Sequence, residues 1–527
     1  MELSLLDVIL FLAFFAVVIG FSMYKSRKEE TSEDYFLASR GLHWPLIGLS
    51  LIAANISTEH FVGMSGQGAG LAGLAIASYE WMAAICLVFV AIFFLPKFLR
   101  SGIYTIPEYL EYRYNPTARA LMAFYTMLIY VGVTIAAVIY SGALPLHTIY
   151  DLQMSHAIWL VGGIAAIYTI WGGLKAVAWA DLFQGSALII GGFITMILGF
   201  RAVGGVDNFF AANSDKLHMI LPSDHPVLPW TALVVGLWIP NFYYWGLNQY
   251  ITQRTLAAST LKQGQLGVIF AAFIKLIIPF IIIFPGIMAY QLYAEQLTAS
   301  GATTDAAYPL LIRNLITPGL RGFIFAALCG AVVSSLASML NSASTIFTMD
   351  LYKRHWNKAA SGRTLINVGR LMTFVFVIFG CLIAPNLAHP SLKGIFTYIQ
   401  EFQGFISPGV LAAFIFGLFV KRAPEQAGVW ALILNPIIYG LLLIFFGSLP
   451  VFENLGVALG KIAFLNRMAI TFVIIIAVMA VLTIMKPLAQ PKVLPVREEF
   501  DMRPAPSVLW LGGVVILLTV TLYAIFW

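Results

Sequence analysis

The chain has 527 residues, of which 60% are hydrophobic and only 10% are charged. A soluble domain carries about 25% charged residues, so this chain lacks the polar surface that water requires. The net charge of +6 does not indicate nucleic-acid binding, because the basic residues fall in short loops between apolar runs. Composition therefore predicts an all-α, polytopic membrane protein.

Runs of about 20 apolar residues, the length that crosses a membrane as a helix, recur along the whole chain. They predict about fourteen transmembrane helices, at residues 3–24, 43–66, 73–96, 118–149, 156–174, 178–203, 229–251, 266–292, 320–352, 365–386, 394–420, 426–447, 463–485 and 507–526. The polar stretches between these runs are too short for a soluble domain. Residues 1–527 are therefore predicted to form one transmembrane domain.

The positions of the basic residues predict how the helices are oriented. With the N-terminus outside, about 22 of the 30 Lys and Arg residues fall on the inner side and about 7 on the outer side. Basic residues favour the cytoplasmic side of a membrane. We therefore expect a multi-pass protein of the cell (inner) membrane with its N-terminus outside.

Polar side chains inside predicted spans are costly in a bilayer and often serve function. In chain order they are Asn55, Ser57, Glu59 and His60 in the second span, Glu80 in the third, Asp181 in the sixth, Asn241, Tyr243, Tyr244, Asn248 and Gln249 in the seventh, Lys275 in the eighth, Ser334, Ser335, Ser338, Asn341 and Ser342 in the ninth, and Gln400 and Glu401 in the eleventh. A serine can instead bond the carbonyl one turn back in its own helix. Structural roles are the favoured interpretation for Glu59 and Glu401.

Glu80 and Lys275 are the hardest of these to explain by packing alone. Each lies well inside an apolar run, where a charge needs a partner or a wet cavity. They either pair with each other or face the same polar solute. Both alternatives predict an interior cavity.

Two predicted spans look interrupted. Polar residues surround Asn55 in the second span, and Pro240 removes a backbone N–H in the seventh. These spans lie five apart, as in transporters built from inverted five-helix repeats with broken first helices. The predicted repeats are residues 43–203 and 229–420, with an extra N-terminal helix at 3–24 and three additional helices at 426–526.

Seven stretches of the sequence carry a family resemblance. They are Leu51–Ser57, Tyr79–Trp81, Asn241–Trp245, Gln253–Thr255, Val333–Ser335, Asn341–Ser342 and Tyr398–Glu401. Together they resemble the sodium:solute symporter family, most of all its sodium/glucose (galactose) cotransporter branch. The resemblance runs over essentially the whole chain and implies a leucine-transporter-like fold that works by alternating access.

The resemblance also implies an ion site and a solute site. Sodium, the coupling ion, would bind the carbonyls of Ala53, Ile56 and Ala331 and the hydroxyls of Ser334 and Ser335, with Asp181 as a possible ion relay. The sugar would contact Asn55, His60, Glu80, Asn241, Lys275 and Gln400. Met64, Tyr79 and Phe396 would form the outer gate, and Tyr244 would cover the sugar from inside. No other cofactor, nucleic acid or obligatory protein partner is implied.

Four positions depart from the pattern of relatives. Ala337 replaces a hydroxyl that holds a second sodium in some of them, which favours one sodium per cycle. His60, Thr134 and Ala83 replace the glutamine, asparagine and serine of bacterial galactose-transporting members. His60 and Thr134 instead resemble animal glucose transporters, so the resemblance leaves the preferred sugar open.

Other functions remain to be weighed against sugar symport. The solute could be myo-inositol, sialic acid, an amino acid or another organic acid, although a carboxylate would favour an arginine within the spans and none was identified there. A membrane enzyme is disfavoured, since the sequence has no zinc pair, nucleophile elbow or paired catalytic carboxylates. A sodium sensor or channel would need a continuous pore.

Overall fold

The computed structural model describes residues 5–26, 31–150, 152–299, 304–317, 319–388, 395–446, 462–497 and 500–527. The regular elements in these ranges are helices. The helices named below are α1 (Leu5–Ser26), α2 (Ser32–Leu37), α3 (Trp44–Asn55), α4 (Glu59–Ala69), α5 (Gly73–Ser101), α6 (Ile106–Arg113), α7 (Pro116–His147), α8 (Met154–Ile167), α9 (Gly173–Ala202), α10 (Val206–Ala212), α11 (Trp238–Leu247), α12 (Gln249–Leu256), α13 (Leu261–Thr298), α14 (Ala307–Leu315), α15 (Leu320–Trp356), α16 (Gly362–Leu387), α17 (Ile395–Gln403), α18 (Ser407–Phe419), α19 (Glu425–Phe446), α20 (Phe464–Met485) and α21 (Val508–Ile525).

The all-α, multi-pass architecture is confirmed. Within the described residues, ten helices are long and apolar enough to cross a membrane, or eleven when α3 and α4 count as one bent span. The remaining predicted spans fall on the shorter helices α8, α11, α12, α17 and α18. Length and apolarity therefore do not confirm the predicted count of about fourteen.

Helix α15 lies at the centre of the protein and α1 at its edge. In the most apolar part of α15, 89% of the residues are buried, whereas in α1 the share is 17%. Helix α15 packs against α9 and α1. The serines of α15 therefore face protein rather than lipid, which favours a role beyond bonding to their own helix.

The N-terminal end of α15 is fixed to α1 by a buried carboxylate. Asp7 accepts hydrogen bonds from the backbone N–H groups of Gly319, at 2.8 Å, and Gly322, at 2.7 Å. These groups belong to the helix start, where no intrahelical acceptor exists. A Cβ on Gly322 would lie 2.5 Å from the Asp7 Cα, so the close approach requires glycine. The carboxylate therefore caps α15 and anchors α1.

Replacing Asp7 should destabilise the fold. We expect Asp7→Ala to lower the free energy of unfolding by about 2 kcal/mol, because two buried N–H groups lose a charged acceptor. Asp7→Asn is the matched control, since its amide oxygen can still accept. Thermal unfolding of the detergent-solubilised protein measures both. Equal stability of Asp7→Ala and the wild type would contradict the capping role.

The first predicted interruption is confirmed. Helix α3 ends at Asn55, Ile56 is extended with φ −79° and ψ 104°, and α4 leaves at a bend of 57°. The Ile56 N–H is the last in helical register and bonds the carbonyl of Ile52, so the carbonyls of Ala53, Ala54 and Asn55 are left for other donors. The backbone carbonyl of Ser57 accepts the His60 N–H at 3.0 Å at the start of α4.

The second interruption lies eight residues beyond its predicted place. Pro240 is the third residue of α11, which follows a π-helical turn at Ala232–Gly236, and the backbone between them stays in the helical region. The break is instead at Asn248, which is extended with φ −82° and ψ 121°. Tyr130 of α7 stabilises it, because its hydroxyl accepts the Tyr250 N–H at 3.1 Å and donates to the Asn248 side chain.

Candidate solute and ion sites

One polar cavity lies where the two broken spans meet α5, α7 and α17. Its interior leaves about 40 Å³ for the centres of water-sized molecules. Its lining is Asn55, Glu59, His60, Met64, Tyr79, Glu80, Thr134, Pro240, Asn241, Tyr244, Trp245, Tyr250, Met339, Phe396, Ile399, Gln400 and Gln403. The structure therefore brings together five of the six predicted sugar contacts and all four predicted gate residues.

Lys275, the sixth predicted contact, lies behind the cavity wall. Its side chain is fully buried, and its ammonium group donates to the side chains of Asn55 and Glu80. It also lies 4.8 Å from the centroid of the Trp245 ring. Lys275 and Glu80 thus form the ion pair that was one of the two predicted alternatives. In this arrangement Lys275 positions two cavity-lining groups.

His60 lies between two carboxylates at the cavity wall. Its Nε2 is 3.7 Å from Glu80, and its Nδ1 is 3.9 Å from Glu59. Glu59 was expected to have a structural role, but its side chain lines the cavity. Glu401, in contrast, accepts from Tyr439 at 3.0 Å and from Arg467, as a satisfied structural carboxylate does.

Aromatic and tyrosine side chains close the cavity at both ends. On the side predicted to be outer, Tyr79 and Phe396 contact edge to face with ring centroids 5.0 Å apart, and Met64 is buried. On the opposite side, the Tyr244 hydroxyl accepts from the Asn55 amide at 2.9 Å and bonds the Tyr250 hydroxyl. A solute in this cavity would be enclosed from both sides.

The predicted ion ligands meet where α3 ends against α15. The Ser335 hydroxyl donates to the carbonyl of Ala54 at 3.0 Å and to that of Ala53 at 3.4 Å. The Ser334 hydroxyl lies 3.3 Å from the Ala53 carbonyl and also bonds Asp181. Ile56 is the extended residue of the break, and Ala331 lies one turn before the two serines. Oxygen donors of this kind suit a hard monovalent cation.

Asp181 forms a buried ion pair that sequence reasoning missed. The Arg254 guanidinium lies 3.2 Å from Asp181, donates to Ser50 at 2.7 Å, and also bonds Ser338 and the Tyr250 carbonyl. Arg254 lies three residues beyond the predicted span at 229–251. The structure buries it fully within α12. One signal for a functional Arg254 was present in the sequence, because it belongs to Gln253–Thr255, one of the stretches that carry the family resemblance.

A membrane-embedded polar cavity, closed on both sides and flanked by two broken helices, defines a secondary transporter. The chain belongs to the sodium:solute symporter family, because the model of that family matches residues 35–435. It is therefore a transport protein rather than an enzyme, and sodium is its coupling ion.

Two relatives illustrate this membership. The chain is 44% identical over 454 residues to the sodium/glucose cotransporter of Vibrio parahaemolyticus, a match that covers 81% of this chain and 83% of the relative. It is 33% identical over 462 residues to sodium/myo-inositol cotransporter 2 of Mus musculus, covering 81% of this chain and 68% of the relative.

A solved structure shows the same fold. A sodium-coupled sialic acid symporter, captured substrate-bound and outward-open, matches with a TM-score of 0.79 and 24% identity over 94% of this chain and 100% of that one. This likeness confirms the leucine-transporter-like fold class. The boundaries of the two five-helix repeats stay a prediction.

Proposed function

We propose that this protein takes up a neutral monosaccharide, of the glucose or galactose kind, by sodium-coupled alternating access. The observation that carries the proposal is the enclosed cavity in which Asn55, His60, Glu80, Asn241 and Gln400 converge. Amide, imidazole and carboxylate groups together donate to and accept from the many hydroxyls of a sugar. Aromatic walls around a few placed polar groups are typical of small-molecule sites.

The charges of the cavity favour a neutral solute. Among the described residues, its lining contains no arginine, and Lys275 is already paired with Glu80. Arg254 is likewise committed to Asp181. A carboxylate solute such as sialic acid would bring a negative charge without a free cation to meet it. A polyol such as myo-inositol remains the second candidate, because it also presents only hydroxyls and one relative is named for it.

One sodium per sugar is the stoichiometry that the ion region supports. The proposed ligands are the carbonyls of Ala53, Ile56 and Ala331 and the hydroxyls of Ser334 and Ser335. The neighbouring carboxylate of Asp181 is neutralised by Arg254, and Ala337 offers no hydroxyl there. A second sodium would therefore have to displace a buried guanidinium.

A chain of hydrogen bonds joins the ion region to the solute cavity. It runs from Ser334 through Asp181 to Arg254, and from Arg254 to the Tyr250 carbonyl. The Tyr250 hydroxyl bonds Tyr244, which in turn holds Asn55. Asn55 accepts from Lys275, the partner of Glu80.

We infer that sodium binding fixes this hydrogen-bonded chain and thereby orders the sugar site. The repeats then rock, the outer aromatic residues close, and Tyr244 moves aside to release the sugar inward. Moving one charge through 100 mV supplies about 2.3 kcal/mol to this cycle. The setting we propose is the inner cell membrane with the N-terminus outside, which the distribution of basic residues supports.

Uptake into proteoliposomes tests the proposal. An inward sodium gradient should drive accumulation of radiolabelled galactose or glucose, whereas a potassium or proton gradient should not. Competition by unlabelled sugars, myo-inositol and sialic acid then ranks the solutes. Proton-driven uptake would refute the coupling ion, and stronger competition by sialic acid than by any sugar would refute the solute class.

Ser335→Ala should weaken sodium binding. We expect the sodium concentration for half-maximal uptake to rise about tenfold, or about 1.4 kcal/mol, because one of the proposed ligands is lost. The matched control is Ser344→Ala on the same helix, whose buried hydroxyl bonds only the carbonyl of Asn341 at 2.9 Å. An unchanged sodium dependence in Ser335→Ala would remove this residue from the ion site.

A further inference from the structure

A second, independent pocket opens at the C-terminal end of α15, the end predicted to lie inside. It has a volume of about 300 Å³ and lies between α15, the start of α7 and the loop before α6. Its wall includes four cations: Arg119, Lys353, Arg354 and Lys358. Basic residues generally prefer the inner side of a membrane, which explains why these four lie on one side. That preference does not explain why they converge on one pocket.

The nearby carboxylates are already engaged. Glu108 accepts from the Tyr104 N–H at 2.7 Å and from the Tyr112 hydroxyl at 2.8 Å. Glu111 accepts from Arg119 at 2.8 Å and also from Arg354.

Asp350, the third carboxylate, is engaged too. It accepts from Arg119 at 2.6 Å and from Thr105 at 2.8 Å. In the described part of the chain, Lys353 and Lys358 have no carboxylate within 4 Å, the distance of a salt bridge. The pocket therefore presents two uncompensated ammonium groups.

Aromatic and apolar side chains place this pocket at the membrane surface. Trp356 is 70% exposed and contacts Phe347 and Tyr352, with ring centroids 5.6 and 6.0 Å apart. Aromatic residues of this kind concentrate at the membrane–water boundary. On α16, the next helix along the chain, Leu371 and Phe374 are exposed, at 60% and 53%.

We propose that this pocket binds the phosphate headgroup of an anionic phospholipid from the inner leaflet. Lys353 and Lys358 meet the phosphate, and the exposed apolar residues of α16 meet the acyl chains. Basic pockets at the cytoplasmic ends of transmembrane helices recognise such headgroups. A free phosphate ion shares the charge but cannot use the apolar surface.

The pocket is also connected to the second broken span. Tyr104 at its wall accepts from the side chain of Gln249 at 3.1 Å, and Gln249 accepts the Ile106 N–H at 2.9 Å. Gln249 is the first residue of α12, directly after the break at Asn248. A bound lipid therefore contacts a loop that is hydrogen-bonded to the first residue of α12.

Lipid retention by the full-length protein in detergent tests the proposal. Native mass spectrometry should show retained phosphatidylglycerol, but not phosphatidylcholine, on the wild type. Lys353→Gln/Lys358→Gln should reduce the retained phosphatidylglycerol at least fivefold. The matched control is Lys421→Gln/Arg422→Gln, which removes the same charge from exposed residues on the same side and should retain the lipid.

Inorganic phosphate and glycerol phosphate distinguish the possible ligands. At equal concentration neither should displace the phosphatidylglycerol. Displacement by phosphate alone would assign the pocket to a free anion and overturn the lipid proposal. Equal lipid loss in the control variant would show that the effect comes from general surface charge. Retention of the lipid in the Lys353/Lys358 variant would show that the pocket is not the binding site.

Discussion

Sodium-driven sugar uptake should fall below about 1% of the wild-type rate in Lys275→Ala. The ammonium group of Lys275 holds both Asn55 and Glu80, which line the cavity. Its loss frees two groups that we propose contact the sugar. It also leaves a buried carboxylate without its cation, which costs about 3–5 kcal/mol. Radiolabelled uptake measures the first effect and thermal unfolding the second.

A charge-neutral double variant separates binding from stability. Glu80→Gln/Lys275→Met removes the ion pair without leaving either charge alone, so we expect near-normal thermal stability. Uptake should still be lost, because the orientation of Asn55 and the carboxylate acceptor are gone. The control on the same helix is Lys262→Ala, an exposed residue at its inner end. Normal uptake by the folded double variant would remove Glu80 and Lys275 from the sugar site.

Arg254→Gln should separate sugar movement from the sodium gradient. The guanidinium joins Asp181, next to the proposed sodium ligands, to the carbonyl of Tyr250 beside the inner gate. Without it, occupation of the ion site no longer fixes α12. We expect gradient-driven uptake to fall more than tenfold, while exchange of labelled for unlabelled sugar across the membrane persists.

A double variant separates the effect on stability from the effect on sodium coupling. Arg254→Gln alone leaves Asp181 buried without a cation, at a cost of about 3–5 kcal/mol. Asp181→Asn/Arg254→Gln should recover most of that stability but not the stimulation by sodium. Arg100→Gln, an exposed residue on the same side, serves as control. Full sodium stimulation in the double variant would show that the ion and sugar sites communicate by another route.

Many residues of the solute cavity could be predicted from the sequence, because polar groups are costly in a bilayer. Asn55, Glu80, Lys275 and Gln400 interrupt apolar runs, and a membrane leaves such groups few places other than a shared interior. The structure places three of them on the cavity wall and the fourth directly behind it. The first broken helix could be located for the same reason, since polar residues cluster around Asn55.

Other features depend on tertiary packing and could not be predicted. Pro240 predicted a break, but the backbone stays helical from the π-helical turn at Ala232–Gly236 into α11. The real break at Asn248 is stabilised by Tyr130, which is distant in sequence. Arg254 follows the predicted span at 229–251 and so was not among the polar residues expected inside the membrane. Only the fold brings it to Asp181, 73 residues earlier in the chain.

The carboxylate cap on α15 also determines how the outermost helix can travel. Because Asp7 is bonded to the first N–H groups of α15, α1 cannot slide along its neighbour without exposing them. We therefore expect the two helices to shift together when the inner and outer openings exchange. Spectroscopic labels on α1 and α15 would then keep a constant distance during transport. The motion of the broken spans could be measured against that distance.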